Sequence, residues 1–168
     1  MIEVAIQIEP GWPDEDWQVI ATRAVDAALD ASPFGWLRDR RFTVEVSVKL
    51  AGDDELRSLN RAYRGKDKPT NVLSFPLVQH DLLDGLANSD DGEVLLGDII
   101  LAAGVCAGEA SDRRVPVATH ATHLIVHGLL HLLGYDHQGD AEAEAMEAIE
   151  RSALAAIGIA DPYAVDEA

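Results

Sequence analysis

Residues 127–137 read HGLLHLLGYDH, and no other stretch of the chain limits the fold as tightly. Leu129, Leu130, Leu132 and Leu133 require burial, yet three imidazoles stand among them. His127 and His131 are four apart, so on a helix they share one face, with Cβ atoms roughly 6 Å apart. Gly134 suits the left-handed conformation that ends a helix, and His137 follows three residues later on the returning chain. Burying three imidazoles without a shared partner would cost several kcal/mol. A metal ion supplies that partner. His127, His131 and His137 would leave one tetrahedral position for a zinc-bound water, the arrangement of catalytic zinc. One zinc per chain is expected, although all-nitrogen ligands also suit nickel, copper, iron or another divalent transition metal.

The pattern H-x-x-x-H-x-x-G-x-x-H is that of the metzincin metalloproteases. Where those enzymes carry a general-base glutamate after the first histidine, this chain has Gly128. The spacing keeps the metal site and loses the protease base. His120 and His123 lie just upstream and read as satisfied core residues of the same helix.

Charge narrows the partners. The chain has 168 residues, 30 acidic and 13 basic, for a net charge of −17. Taken as an average, that opposes phosphate binding, which needs local positive charge. Five of the 13 basic residues nevertheless fall within 57–68: Arg57, Arg61, Arg64, Lys66 and Lys68. The three arginines repeat at i, i+4 and i+7 and share a helix face, so they form either a phosphate track or a solvated face paired with Asp53, Asp54 or neighbouring acids. Cys106 is the single cysteine, which excludes an intrachain disulfide, and its apolar neighbours mark it as a small buried side chain. MIEVAIQIEP is no signal peptide and no 18-residue apolar run exists, so a cytoplasmic protein without a membrane span is expected.

Hydrophobic periodicity orders the rest. Residues 2–8 and 42–50 alternate as strands, the second with Val44, Val46 and Val48 on one face. Between them Pro13-Asp14-Glu15-Asp16 opens a helix that Ser32-Pro33 ends. A helix from Gly52 to about Tyr63, a loop to Thr70 and a strand at 71–78 follow, with Pro76 placing that strand at an edge or bulge. Residues 79–92 read as a surface loop, and 93–101 as a strand interrupted at Gly97-Asp98. Helices are expected over 102–111, 117–133 and 140–157. The fold class is α+β: one domain over 1–168, with a small mixed four-stranded sheet packed with helices and a metzincin-like three-histidine zinc site at a helix C-terminus.

HGLLHLLGYDH, together with LNRAYRGKDKPTNVLSFP at 59–76 and LGDIIL at 96–101, resembles the YbeY-type endoribonucleases, the ribosomal RNA maturation factors. One departure is Asn71, where that family commonly has aspartate. The resemblance implies a single-strand-specific, zinc-dependent endoribonuclease acting in small-subunit ribosomal RNA maturation and ribosome quality control. It implies zinc on His127, His131 and His137 and points to Arg64 as important for activity. Ribosomal RNA and the small subunit or its assembly proteins are the implied partners. With such an acidic chain, affinity for free RNA should be weak and salt-sensitive, which favours delivery by a ribosomal partner.

Several residues keep two readings. Arg57, Arg61, Lys66 and Lys68 either bind substrate or are solvated. Thr70, Asn71 and Ser74 either line a cleft or satisfy turn backbone. Asp98 either orients a histidine or terminates a ladder with Gly97, and Asp136 either assists His137 and proton transfer or makes a turn. Arg64 would neutralise charge on a phosphorane-like transition state. Two other functions compete: a zinc hydrolase of a peptide or small ester, and a non-catalytic assembly factor with structural zinc. The latter needs a fourth protein ligand, most naturally His123, four residues before His127.

Overall fold

The computed structural model describes residues 1–39, 43–79, 82–83, 93–136 and 138–163. In chain order the elements are β1 (Ile2–Ile8), α1 (Trp17–Ala31), a 3-10 helix (Gly35–Asp39), β2 (Thr43–Ala51), α2 (Asp53–Arg64), β3 (Val72–Pro76), β4 (Glu93–Ala102), α3 (Ala103–Arg113), α4 (Val117–Leu132) and α5 (Asp140–Ala156). The four strands form one mixed sheet in the order β1-β2-β4-β3. β1, β2 and β4 run parallel, and β3 pairs antiparallel with β4 at the edge. The α+β class and the mixed four-stranded sheet are as the sequence predicts.

Alternation places the core. Val44, Val46, Val48 and Leu50 of β2 are fully buried on one face. They join Ala24, Val25 and Leu29 of α1 and Ile125, Leu129, Leu130 and Leu132 of α4 in one cluster. α1 and α4 lie on this face of the sheet, and α5 packs on both of those helices. A smaller cluster of Leu56, Leu73, Ala51 and Ala102 seats α2 on the opposite face near β3.

The acids that open the first helix lie just before Trp17. Asp16 is the cap, and its Oδ1 accepts from the Val19 amide at 3.3 Å. Asp53 caps a different helix from its own. Its Oδ1 accepts from the amides of Gly104 and Val105, at 2.8 and 3.2 Å, at the start of α3. It is thus engaged away from the arginines of α2.

β4 is continuous from Glu93 to Ala102, so Gly97-Asp98 do not terminate it. Leu95 pairs with Glu45 and Gly97 with Val46, which leaves Leu96 as the extra residue of a bulge. Most of the expected 79–92 surface loop lies outside the described residues, but Leu83 is fully buried in the main cluster. Cys106 is buried, and desolvation pushes its thiol up to about 12.

Candidate active site

α4 carries the histidines through the centre of the molecule. His127 and His131 sit on its last two turns, as their spacing predicts. Beyond Leu132 the chain reverses at Gly134, whose φ of 98° is open to glycine at little cost. The Gly134 amide donates to the His131 carbonyl and the Tyr135 amide to the Leu130 carbonyl, both at 3.0 Å, closing the helix end. His137 lies outside the described residues.

The two described histidines converge. Nε2 of His127 and Nε2 of His131 are 3.1 Å apart, with ring centroids 4.6 Å apart and planes at 77°. The Nδ1 of His127 meets the Oε1 of Glu150 on α5. An ionised carboxylate only accepts, so the proton of that contact sits on Nδ1, and in the neutral ring the lone pair falls on Nε2. Burial alone would raise the Glu150 carboxyl. Its interactions with His123 and His127 and the Tyr163 hydroxyl override burial and hold it down to about 2. Two neutral nitrogens bonded to one tetrahedral zinc at about 2.0–2.1 Å would stand about 3.3 Å apart, close to the separation found. The donor set and its carboxylate support therefore fit such an ion.

The pair opens on a cleft of about 700 Å³. One wall is the edge strand β3, through Val72, Ser74 and Pro76. The other is the reversal after α4, through Tyr135, Asp136 and Gln138. Arg64, the last residue of α2, completes the wall together with Thr70 and Asn71. It is brought there by local chemistry. Gly65 ends α2 with a φ of 70°, and buried Asn60 donates from Nδ2 to the Lys68 carbonyl at 2.9 Å. That bond ties loop 65–70 to the helix and delivers the chain into β3.

The basic cluster is divided by the fold. Arg57 forms a two-point ion pair with Asp67, at 2.9 and 3.2 Å, and does not line the cleft. Hydrogen bonding to Arg57 in turn lowers the Asp67 carboxyl. Among the acids that could pair with this face, Asp67 is the one that holds Arg57. Arg61, Lys66 and Lys68 are exposed and lie outside the cleft lining, so Arg64 alone of the five reaches it. Asn71 lines the cleft, yet its side chain serves structure. Its Oδ1 accepts from the Val72 amide at 2.7 Å, and its Nδ2 donates to Glu109 at 3.0 Å.

Asp98 does not orient a histidine. It pairs with Phe75 across the β3–β4 ladder, on the sheet face that α2 covers. Its neighbour Ile99 points instead toward α4. The residue that does hold a histidine, Glu150, was missed, as was Tyr163, whose hydroxyl donates to Glu150 Oε2. The available signal was one acid at an otherwise apolar position of α5, between Ile149 and Ala153. His120 is satisfied, with Nε2 2.8 Å from Glu109, and burial lowers its pKa against that partner. His123 directs Nε2 toward the Tyr163 hydroxyl at 3.4 Å, which turns that nitrogen away from the role of fourth ligand.

Gly128 has a structural cause. A Cβ there would stand 2.7 Å from Ile99 Cγ2 and 3.0 Å from Ser74 Oγ. α4 meets the sheet too closely at this point for the glutamate of a metzincin protease.

These features define a class: a small α+β protein with an imidazole pair, braced by a buried carboxylate, at the foot of a cleft under an antiparallel edge strand. The chain belongs to the family described as Endoribonuclease YbeY, whose model matches residues 7–158. A protein named Endoribonuclease YbeY from Rhizorhabdus wittichii is 64% identical over 168 residues, covering 99% of each chain. One from Sphingopyxis alaskensis is 58% identical over 165 residues, covering 98% of each. A Thermotoga maritima protein solved in solution shares the fold, with a TM-score of 0.52 and 20% identity over 97% of this chain and all of its own.

Proposed function

We propose that the protein is an RNA-cleaving hydrolase: a single-strand-specific, zinc-dependent endoribonuclease that acts in small-subunit ribosomal RNA maturation and ribosome quality control. Residues 1–168 serve this one activity. The observation that carries the reading is the meeting of His127 and His131 through Nε2, 3.1 Å apart, in a cleft that also presents Arg64. Family membership supports RNA as the substrate, since the relatives are named endoribonucleases.

His127 and His131 would hold the ion, with His137 as the third ligand from the segment after Gly134. Zinc held there would supply Lewis acidity, of the kind that brings a bound water to a pKa of about 7 and polarises a phosphoryl oxygen. The chain's own residues do the rest. Arg64 offers a guanidinium on the cleft wall where it binds the scissile phosphate and offsets charge growing on its oxygens. Asp136 also lines the wall and would take or return a proton. Thr70 and Ser74 add hydroxyls along the edge strand. Arg61, Lys66 and Lys68 are exposed cations for flanking phosphates, outside the cleft itself.

Arg64→Ala is the test. The variant should take up zinc as the parent does and lose cleavage of single-stranded RNA. Cleavage at the parent rate removes Arg64 from the mechanism. Parallel assays on duplex RNA and on casein address specificity, and the crowding at Gly128 counts against proteolysis.

A further inference from the structure

Glu150 is 0% exposed, yet it lies on α5 in a segment rich in acids. A carboxylate with no access to water needs partners for both oxygens. It has them from two directions: Oε1 meets Nδ1 of His127, and Oε2 meets the hydroxyl of Tyr163. That hydroxyl is also 3.4 Å from Nε2 of His123. A continuous path therefore joins His123, Tyr163, Glu150 and His127, and it ends where Nε2 of His127 faces Nε2 of His131. Tyr163 belongs to the segment that follows α5, and Arg113 holds that segment through the Pro162 carbonyl at 3.0 Å.

We propose that Glu150 is a positioning residue for the histidine site. It fixes His127 as the Nδ1–H tautomer, so that a lone pair on Nε2 faces the cleft, with Tyr163 bracing the carboxylate. Its purpose rests on the zinc reading above, because a ligand nitrogen must be unprotonated. An imidazole left to itself takes either tautomer, and the fraction with Nε2–H cannot bind a metal. A carboxylate behind the ring removes that fraction and turns the ring to one angle. The alternative is a purely structural role, in which Glu150 only fastens α5 to α4. That role would not set a tautomer.

The experiment uses the metal-free full-length protein with 15N-labelled histidine. Two-bond proton–nitrogen spectra report the tautomer of each ring, and competition with a chromogenic chelator reports zinc affinity. The parent should show His127 with its proton on Nδ1. Glu150→Gln, close to isosteric, should fold, show a mixed or reversed His127 tautomer, and bind zinc about 10–100-fold more weakly. Tyr163→Phe should keep the tautomer and lose less affinity. A parent His127 carrying its proton on Nε2 overturns the proposal. So does a Glu150→Gln protein that binds zinc as tightly as the parent, and both results leave the zinc reading standing. If the parent takes up no zinc, the zinc reading fails, and the parent's tautomer alone decides whether Glu150 positions the ring. If Glu150→Gln does not fold, the parent tautomer and the affinity of Tyr163→Phe decide, with unchanged affinity removing Tyr163 from the brace.

Discussion

Replacing Gly128 by alanine isolates how closely α4 approaches the sheet. Helix propensity alone favours alanine by about 1 kcal/mol. The new Cβ, however, would sit 2.7 Å from Ile99 Cγ2 and 3.0 Å from Ser74 Oγ. Ile99 is fully buried, so its side chain has no free direction of retreat and the helix itself must shift. Overpacking of this kind costs about 1–3 kcal/mol. The balance is a loss of up to about 2 kcal/mol, or roughly 2–4 °C in Tm for each kcal/mol in a domain of this size. Urea denaturation of the metal-free protein measures it. Because the expected loss includes small values, a double-mutant cycle gives the sharper answer. Ile99→Ala alone should cost about 2–5 kcal/mol through the cavity it leaves. Combined with Gly128→Ala it should cost less, with a coupling of about 0.5–3 kcal/mol, because the added methyl enters that space. Two outcomes refute the reasoning. One is a Gly128→Ala protein more stable than the parent by the full helix-propensity gain. The other is additivity of the two changes.

Two further outcomes follow from the ion pairs. Glu109 is held below its ordinary value of 4.5 because hydrogen bonds from His120 and Asn71 outweigh burial, which would raise it. The unfolded chain therefore binds this proton more readily, so the stabilisation is complete above about pH 4.5 and is lost as pH falls through the lowered value. Burial lowers His120 from 6.5, which adds a loss of the same sign below that pH. Denaturation of parent and Glu109→Gln should show a stability gap that narrows below about pH 4.5, and a gap constant with pH refutes the assignment. Arg57 is held by Asp67 away from the cleft, so Arg57→Ala should cleave RNA at about the parent rate. A loss as large as that of Arg64→Ala, in the same cleavage assay, would extend the substrate track along α2.

The legible parts of this protein are those encoded over a few residues. Alternation gave the strands, and spacing of three and four gave α4 and the common face of His127 and His131. Gly134 announced the helix end because its backbone conformation is a property of the residue itself. Even the basic run at 57–68 could be read, but not its division between Arg64 in the cleft and Arg57 on Asp67. Pattern places a side chain on a face and says nothing of what stands opposite.

What stands opposite was decided by packing. Glu150 reaches His127 across 23 residues, and Asp53 caps α3 across 51. Neither contact leaves a periodic trace, because each exists only when two helices have docked. The sequence by itself determined the order of elements, the histidine face and its closing turn, all set by backbone stereochemistry and side-chain period. Tertiary structure alone decided which carboxylate braces the imidazole, which arginine enters the cleft and why position 128 has no side chain. Those depend on distances between segments that the chain brings together only when it buries its core.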